Sequence, residues 1–117
     1  MDDRWKIIYY QTVNGDYPAK VFINSLNAKA KSKIINAIDL LAEFDIRLGL
    51  PHSKRMSESE LWELRILGKD NLRILYVAII GKTFLLLHGF KKKKQKIDRK
   101  DIKIAERRLD DYKLRSK

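Results

Sequence analysis

The period of apolar and polar positions changes several times along the chain. Trp5 to Tyr10 is a run of aromatic and β-branched residues that reads as a first strand, and Asn14-Gly15 supplies the turn that ends it. Asp16 followed by Pro18 starts a short helix to about Leu26, because proline is tolerated in a first helical turn, where its missing N–H is not needed. From Ala28 the apolar positions Ile34, Ala37, Ile38, Leu41, Phe44 and Leu48 recur at helical spacing, and Gly49 with Pro51 gives the stop. Residues 51–60 are polar without a period and are expected to form a loop. Three apolar stretches follow, 61–67, 72–80 and 83–90, separated by Gly68-Lys69-Asp70-Asn71 and by Gly81-Lys82. They predict an antiparallel meander whose last turn is a two-residue hairpin. Asp98 is a good N-cap for a helix over about 99–114, in which Ile102, Ala105, Leu109 and Tyr112 form one stripe. The predicted order is β-α-α-β-β-β-α, an α+β fold in which the N-terminal strand joins the meander and the helices pack on the sheet.

Length and composition narrow the chemistry. With 117 residues and 44% apolar content, one domain over 1–117 is expected and general disorder is excluded. The absence of cysteine excludes a disulfide framework, a thiolate nucleophile and a thiolate zinc site. His52 and His88 lie far apart in the chain and form no local ligand cluster, so no metal is expected. The glycines at 15, 49, 68, 81 and 89 are isolated and fit turns and caps, not a phosphate loop or dinucleotide fingerprint. No serine sits in a nucleophile motif, so no cofactor is expected either. No secretory pattern opens the chain and no apolar stretch approaches the ~20 residues of a spanning helix, so the expected setting is cytoplasmic, with no membrane partner.

Charge is the positive clue. The net charge is +11, and residues 61–117 carry seventeen basic against seven acidic side chains, whereas residues 1–60 are nearly balanced. Such a field attracts polyanions without choosing among them. The meander adds geometry. Pairing Ile80 with Thr83 puts Arg73 opposite Phe90 and on the face of His88. An odd-length loop before residue 72 puts Arg65 opposite Arg73, an even one puts it opposite Ile74 on the other face, and the odd loop is preferred because it clusters the cations. Beyond that edge come Lys91-Lys92-Lys93-Lys94-Gln95-Lys96 and the N-terminus of the last helix, which adds partial positive potential. Guanidinium forks, ammonium groups and an imidazole suit a phosphodiester. RNA can be cut without a metal when its 2′-hydroxyl is deprotonated, the phosphorane is stabilised and the leaving oxygen is protonated. His88, or a lysine crowded by other cations, is the candidate proton carrier.

Each of these residues has a second reading that the sequence leaves open. His88 in an apolar strand also fits a hydrogen-bonded core histidine, and His52 a solvated loop residue. Arg65 and Arg73 also fit ion pairs with Glu63 or helix acids, worth about 0–1 kcal/mol where exposed. The lysine run also fits a solvated edge. Trp62, Tyr76 and Phe90 fit either base-stacking surfaces or core, and Trp62 is read as core.

The blocks Leu61-Trp62-Glu63-Leu64-Arg65, Leu72-Arg73-Ile74-Leu75-Tyr76, Leu86-Leu87-His88-Gly89-Phe90-Lys91-Lys92 and Ile104-Ala105-Glu106-Arg107-Arg108-Leu109-Asp110-Asp111-Tyr112, in this order, resemble the phage-derived, HigB-like branch of the RelE/ParE toxin superfamily. The resemblance implies a RelE-like fold and a type II toxin that enters the ribosomal A site and cuts translated mRNA. It also implies a cognate antitoxin, of helix-turn-helix type and encoded beside the toxin, that silences it in a hetero-oligomer. By the same resemblance, Arg73 matches the arginine of the family's Arg-x-x-Tyr pattern and would bind the scissile phosphate, with Arg65 assisting. Lys93 and Lys94 become general-acid candidates with His88 as a further catalytic candidate, while Lys54, Lys91, Lys92 and Lys96 become RNA-binding candidates. Family members commonly carry proline after the lysine stretch, where this chain has Ile97-Asp98, so its last helix is expected to start slightly differently. Tyr112 lies too far along that helix for the catalytic tyrosine of some superfamily nucleases and is read as core. Two other activities stay open on the same fold: a ParE-like inhibitor of DNA gyrase, and a nucleic-acid-binding protein without catalysis.

Overall fold

A computed structural model describes residues 3–116. The first strand, β1, spans Lys6–Tyr9. The turn after it is closed by Thr12, whose N–H donates to the Asp16 carbonyl, with Gly15 at φ +92°. Helix α1 (Pro18–Asn24) begins on its proline as expected, and α2 (Ala28–Phe44) on Asn27, whose side chain accepts from the Ala30 N–H at 2.9 Å. The stop of α2 differs from expectation. The α-helix ends at Phe44, and Leu48 reaches the core after a 3₁₀ turn, Asp45–Arg47. Gly49 therefore plays no part in ending the helix.

Residues 51–60 are not wholly a loop. Ser53–Arg55 form a short strand, β2, antiparallel to β3 (Trp62–Ile66), with Ser53 opposite Leu64 and Lys54 opposite Glu63. Its polar triplet shows no alternation because β2 is an edge strand that buries only Ser53, whose hydroxyl donates to the Leu48 carbonyl at 2.6 Å. Strands β4 (Leu72–Ile79) and β5 (Thr83–Lys91) complete the meander, β1 pairs in parallel with β5, and the sheet order is β1-β5-β4-β3-β2. Helices α1 and α2 cover one face through Ile23, Ile34, Ile38 and Leu41 against Leu64, Ile74, Tyr76, Phe84 and Leu86. On the other face, α3 (Arg99–Arg115) packs Ala105 and Leu109 against Leu75, Val77, Leu85, Leu87 and Phe90. Trp62 packs at the margin of the first cluster, Tyr112 at the margin of the second, and Tyr76 and Phe90 are buried.

The register is the expected one at the important residues, but it is reached by a different route. Thr83 pairs with Ile79, not Ile80, so the turn has three residues, with Gly81 at φ +89° and Lys82 at φ +51°. A β-bulge then restores the offset. Tyr76 pairs with Leu86 but Leu75 with His88, so Leu87 is the extra residue and Arg73 ends opposite Phe90. Without the bulge the strict period of two would turn His88 and Phe90 to the α1–α2 face. Between β3 and β4 the five-residue loop places Arg65 opposite Arg73, as expected.

Candidate nucleic-acid interface

Cross-strand partners share a face, so the α3 side of the sheet carries Lys54, Glu63, Arg65, Arg73, His88 and Phe90 in register. Helix α3 packs on β5 and β4, which leaves the β2–β3 end of that face open. The segment between β5 and α3 closes over this end and makes a cleft of ≈ 480 Å³, lined among others by Lys54, Met56, Glu63, Arg65, Lys92, Gln95, Lys96, Ile97 and Ile102. A second cleft of ≈ 290 Å³ adjoins it, lined by Phe90, Lys91 to Lys94, Lys96 and Lys100 with Asp98 and Asp101; Lys92 and Lys96 line both. A wider groove of ≈ 790 Å³ elsewhere carries Glu58, Glu60, Glu106 and Asp110 and is unsuited to a polyanion.

The floor of the cleft is an ion-pair fork. Glu63, 3% exposed, accepts from Arg65 Nε through Oε1 at 2.9 Å and from Arg73 Nε through Oε2 at 3.1 Å. Two guanidinium groups facing each other across adjacent strands would otherwise repel, and a carboxylate with two oxygens satisfies both. The pairing with Glu63, one of the two readings open to these arginines, is therefore the arrangement adopted. It separates the two arginines. The Arg65 side chain is 28% exposed and lines the cleft, with its Nη atoms unbonded among the described residues. The Arg73 side chain is 13% exposed, donates through Nη1 to the Leu72 carbonyl at 3.0 Å, and lines neither cleft. Arg73 is thus a largely enclosed partner of Glu63.

The lysine tract is sorted by a backbone bond. Lys92 N–H donates to the Asn71 carbonyl at 2.8 Å, which carries the β4–β5 ladder one residue beyond Lys91, and Lys92 is the most enclosed lysine of the tract. Lys93 and Lys94 are exposed, line only the second cleft, and Lys94 Nζ lies 3.9 Å from Asp98. Lys92 and Lys96, expected to bind RNA, therefore line the cleft that Arg65 lines, and the two lysines expected to do the chemistry do not. The start of α3 is capped by Asp98, which accepts from the Lys100 N–H at 3.0 Å, and Asp101 stands in its first turn. These carboxylates offset the positive potential expected of that helix end.

His88 is on the expected face but fully engaged. Its Nδ1 accepts from Arg108 Nη1 at 3.3 Å, so Nε2 carries the proton and donates to Asp101 Oδ1 at 2.8 Å; Arg108 also donates to the Leu87 carbonyl at 2.8 Å. The imidazole stacks on Phe90, and burial lowers its pKa from the usual range, with Arg108 and Lys100 acting in the same direction against Asp101. It ties the β5 bulge to α3 and lines neither cleft. Glu63 is the residue whose role the sequence pattern understated. Its signal was the Glu-x-Arg spacing on a strand, which puts carboxylate and guanidinium side by side on one face.

No curated protein sequence matches the chain. The family model for phage-derived protein Gp49-like (DUF891) matches residues 21–110, a span that includes most of the helices of the first face, the fork, the lysine tract and most of α3. The chain accordingly belongs to the Gp49-like family of phage-derived proteins, a family of toxins of toxin–antitoxin systems in the wider RelE/HigB-like group.

Proposed function

We propose that this toxin is an endoribonuclease that inhibits translation by cutting mRNA on the ribosome without a metal. The observation that carries the reading is the convergence of Lys54, Arg65, Lys92 and Lys96, from β2, β3 and the segment before α3, on one cleft floored by the Glu63 fork. In this mechanism the exposed Nη groups of Arg65 hold the scissile phosphate and stabilise the charge that builds up as the 2′-hydroxyl, giving its proton to solvent water, attacks phosphorus. Lys92 or Lys96 gives a proton to the departing 5′ oxygen, and Lys91, Lys93 and Lys94 hold flanking phosphates. Arg73 acts through Glu63, fixing the carboxylate that aims Arg65. The ribosome supplies in-line alignment of the attacking oxygen, so free RNA is a poor substrate.

As a toxin of this family the chain has an antitoxin partner. We further propose that this partner is a helix-turn-helix protein encoded beside it, that an acidic segment of it covers the basic cleft in a hetero-oligomer, and that the toxin works in the cytoplasm, where ribosomes are. The test is brief induction of the toxin followed by primer extension on several transcripts. Cuts confined to translated regions and phased with codons are the expected result. A DNA-damage response without cuts would replace this reading by gyrase inhibition, and growth arrest with neither would remove catalysis from it.

A further inference from the structure

The mechanism above gives Ser57 no task, and its surroundings set it apart from its neighbour in the same turn. Ser57 is exposed between β2 and β3 and carries the one hydroxyl among the described residues that line the ≈ 480 Å³ cleft. That hydroxyl makes no hydrogen bond among the described residues. Ser59, two residues on, is its opposite. Its hydroxyl accepts from the Leu61 N–H at 3.1 Å, and it lines the acidic groove of Glu58, Glu60, Glu106 and Asp110. Glu58 between the two serines takes φ +56°, and the chain turns there. Ser25 and Ser53 are likewise engaged, each donating to a backbone carbonyl at 2.6 Å.

Charge makes this difference chemical. Five cationic side chains line the cleft against the carboxylate of Glu63, which two arginines already share. A phosphate ester carries about two negative charges and three acceptor oxygens near neutral pH. Attached at Ser57 it meets donors that lack a partner, among them the Nη groups of Arg65, whereas attached at Ser59 it meets carboxylates. The approach is open as well. β2 is an edge strand, and Lys54 and Arg55 are exposed just ahead of Met56 and Ser57, so an enzyme with an acidic subsite can take residues 54–57 from the solvent side of the sheet.

We propose that Ser57 is a phosphorylation site, used by a serine kinase that selects basic residues two and three positions ahead of the serine, and that its phosphate occupies the place of the scissile phosphate and turns the toxin off. The proposal rests on the ribonuclease reading and adds its regulation. In the forward step Ser57 Oγ attacks the γ-phosphorus of a nucleoside triphosphate held by the kinase. The bond to the bridging oxygen breaks, the nucleoside diphosphate departs, and the hydroxyl proton passes to a base of the kinase. In the reverse step a phosphatase hydrolyses the ester, which restores the hydroxyl and releases inorganic phosphate.

The test uses the whole toxin made by cell-free synthesis in three forms: unmodified, Ser57→phosphoserine and Ser59→phosphoserine. Each is assayed for cutting of mRNA on programmed ribosomes and for binding to a short single-stranded RNA, before and after phosphatase treatment. Phosphate on Ser57 is expected to lower both by about tenfold or more, and phosphatase to restore both, while phosphate on Ser59 leaves both within about twofold. Mass spectrometry of the toxin from its own cells is expected to find phosphate on the tryptic peptide 56–65, which holds both serines, with fragment ions placing it on Ser57. Equal behaviour of the three forms, an equal loss from phosphate on either serine, a loss that phosphatase does not reverse, or a Ser57 without phosphate in growing and starved cells alike would each overturn the proposal and leave the ribonuclease standing. An unmodified toxin that cuts nothing would instead overturn the ribonuclease, and the RNA affinities of the three forms would still decide whether phosphate on Ser57 closes the cleft.

Discussion

Arg65 and Arg73 face each other across two strands and share one carboxylate, yet only Arg65 is open to a ligand. Their alanine variants should therefore separate function from folding. Arg65→Ala is expected to lose growth inhibition with its urea midpoint nearly unchanged, because Glu63 keeps Arg73 and a partly exposed side chain is removed. Arg73→Ala removes the less exposed partner of a 3%-exposed carboxylate and is expected to cost about 1–3 kcal/mol in urea unfolding. Equal midpoints for the two variants would mean that the fork does not stabilise the sheet edge. The physical difference lies in desolvation: an ion pair with one member touching water is worth little, whereas a buried carboxylate deprived of a partner has no water to replace it.

The β5 bulge and its tie to α3 set the next scale. Inserting Leu87 into the pairing turns His88 toward Asp101 and Arg108 and so fixes where the lysine tract leaves the sheet. Burial keeps the His88 pKa below the ordinary value of about 6.5, so as the pH falls the unfolded chain takes up this proton before the folded one. The stability that His88 contributes is therefore complete above about pH 6.5 and declines as the pH drops below it toward the depressed native value. The difference in urea midpoint between wild type and His88→Gln is expected to be largest at about pH 7.5 and to narrow by about pH 5.5; a difference that stays constant would show that the ring does not titrate in this way. On the other face, α1 and β5 approach so closely that a Cβ on Gly89 would meet Phe22 Cδ2 at 2.5 Å. Gly89→Ala is expected to cost about 1–3 kcal/mol by overpacking, with Phe22→Leu in the same chain recovering part of the loss.

For the molecule as a whole, the +11 charge is not spread evenly. The lysine tract gathers cations at one end of the α3 side, while Glu58, Glu60, Glu106 and Asp110 gather in another groove. A field arranged in this way orients an incoming polyanion as well as attracting it. Replacing Lys93 and Lys94 by alanine is expected to lower the slope of log K against log salt for single-stranded RNA by about 0.7 for each phosphate that these lysines neutralise. An unchanged slope would place both of them outside the RNA path.

The sequence by itself determined the kinds of element, their order and the meander, because these follow from side-chain period and turn residues within a few positions of each other. It also placed Arg73 opposite Phe90, although the turn and the bulge each shift the register by one, whereas the parity of the β3–β4 loop, and with it Arg65 opposite Arg73, was settled by the structure. Only the tertiary structure decided that Ser53–Arg55 would add a strand, that Glu63 would take both arginines, that His88 would spend both nitrogens on α3, and that Lys92 and Lys96 would share a cleft with Arg65. Each of these depends on groups from segments distant in the chain competing for the same hydrogen bonds and the same shelter from water. Such competition is settled by packing and leaves no period along the chain to read.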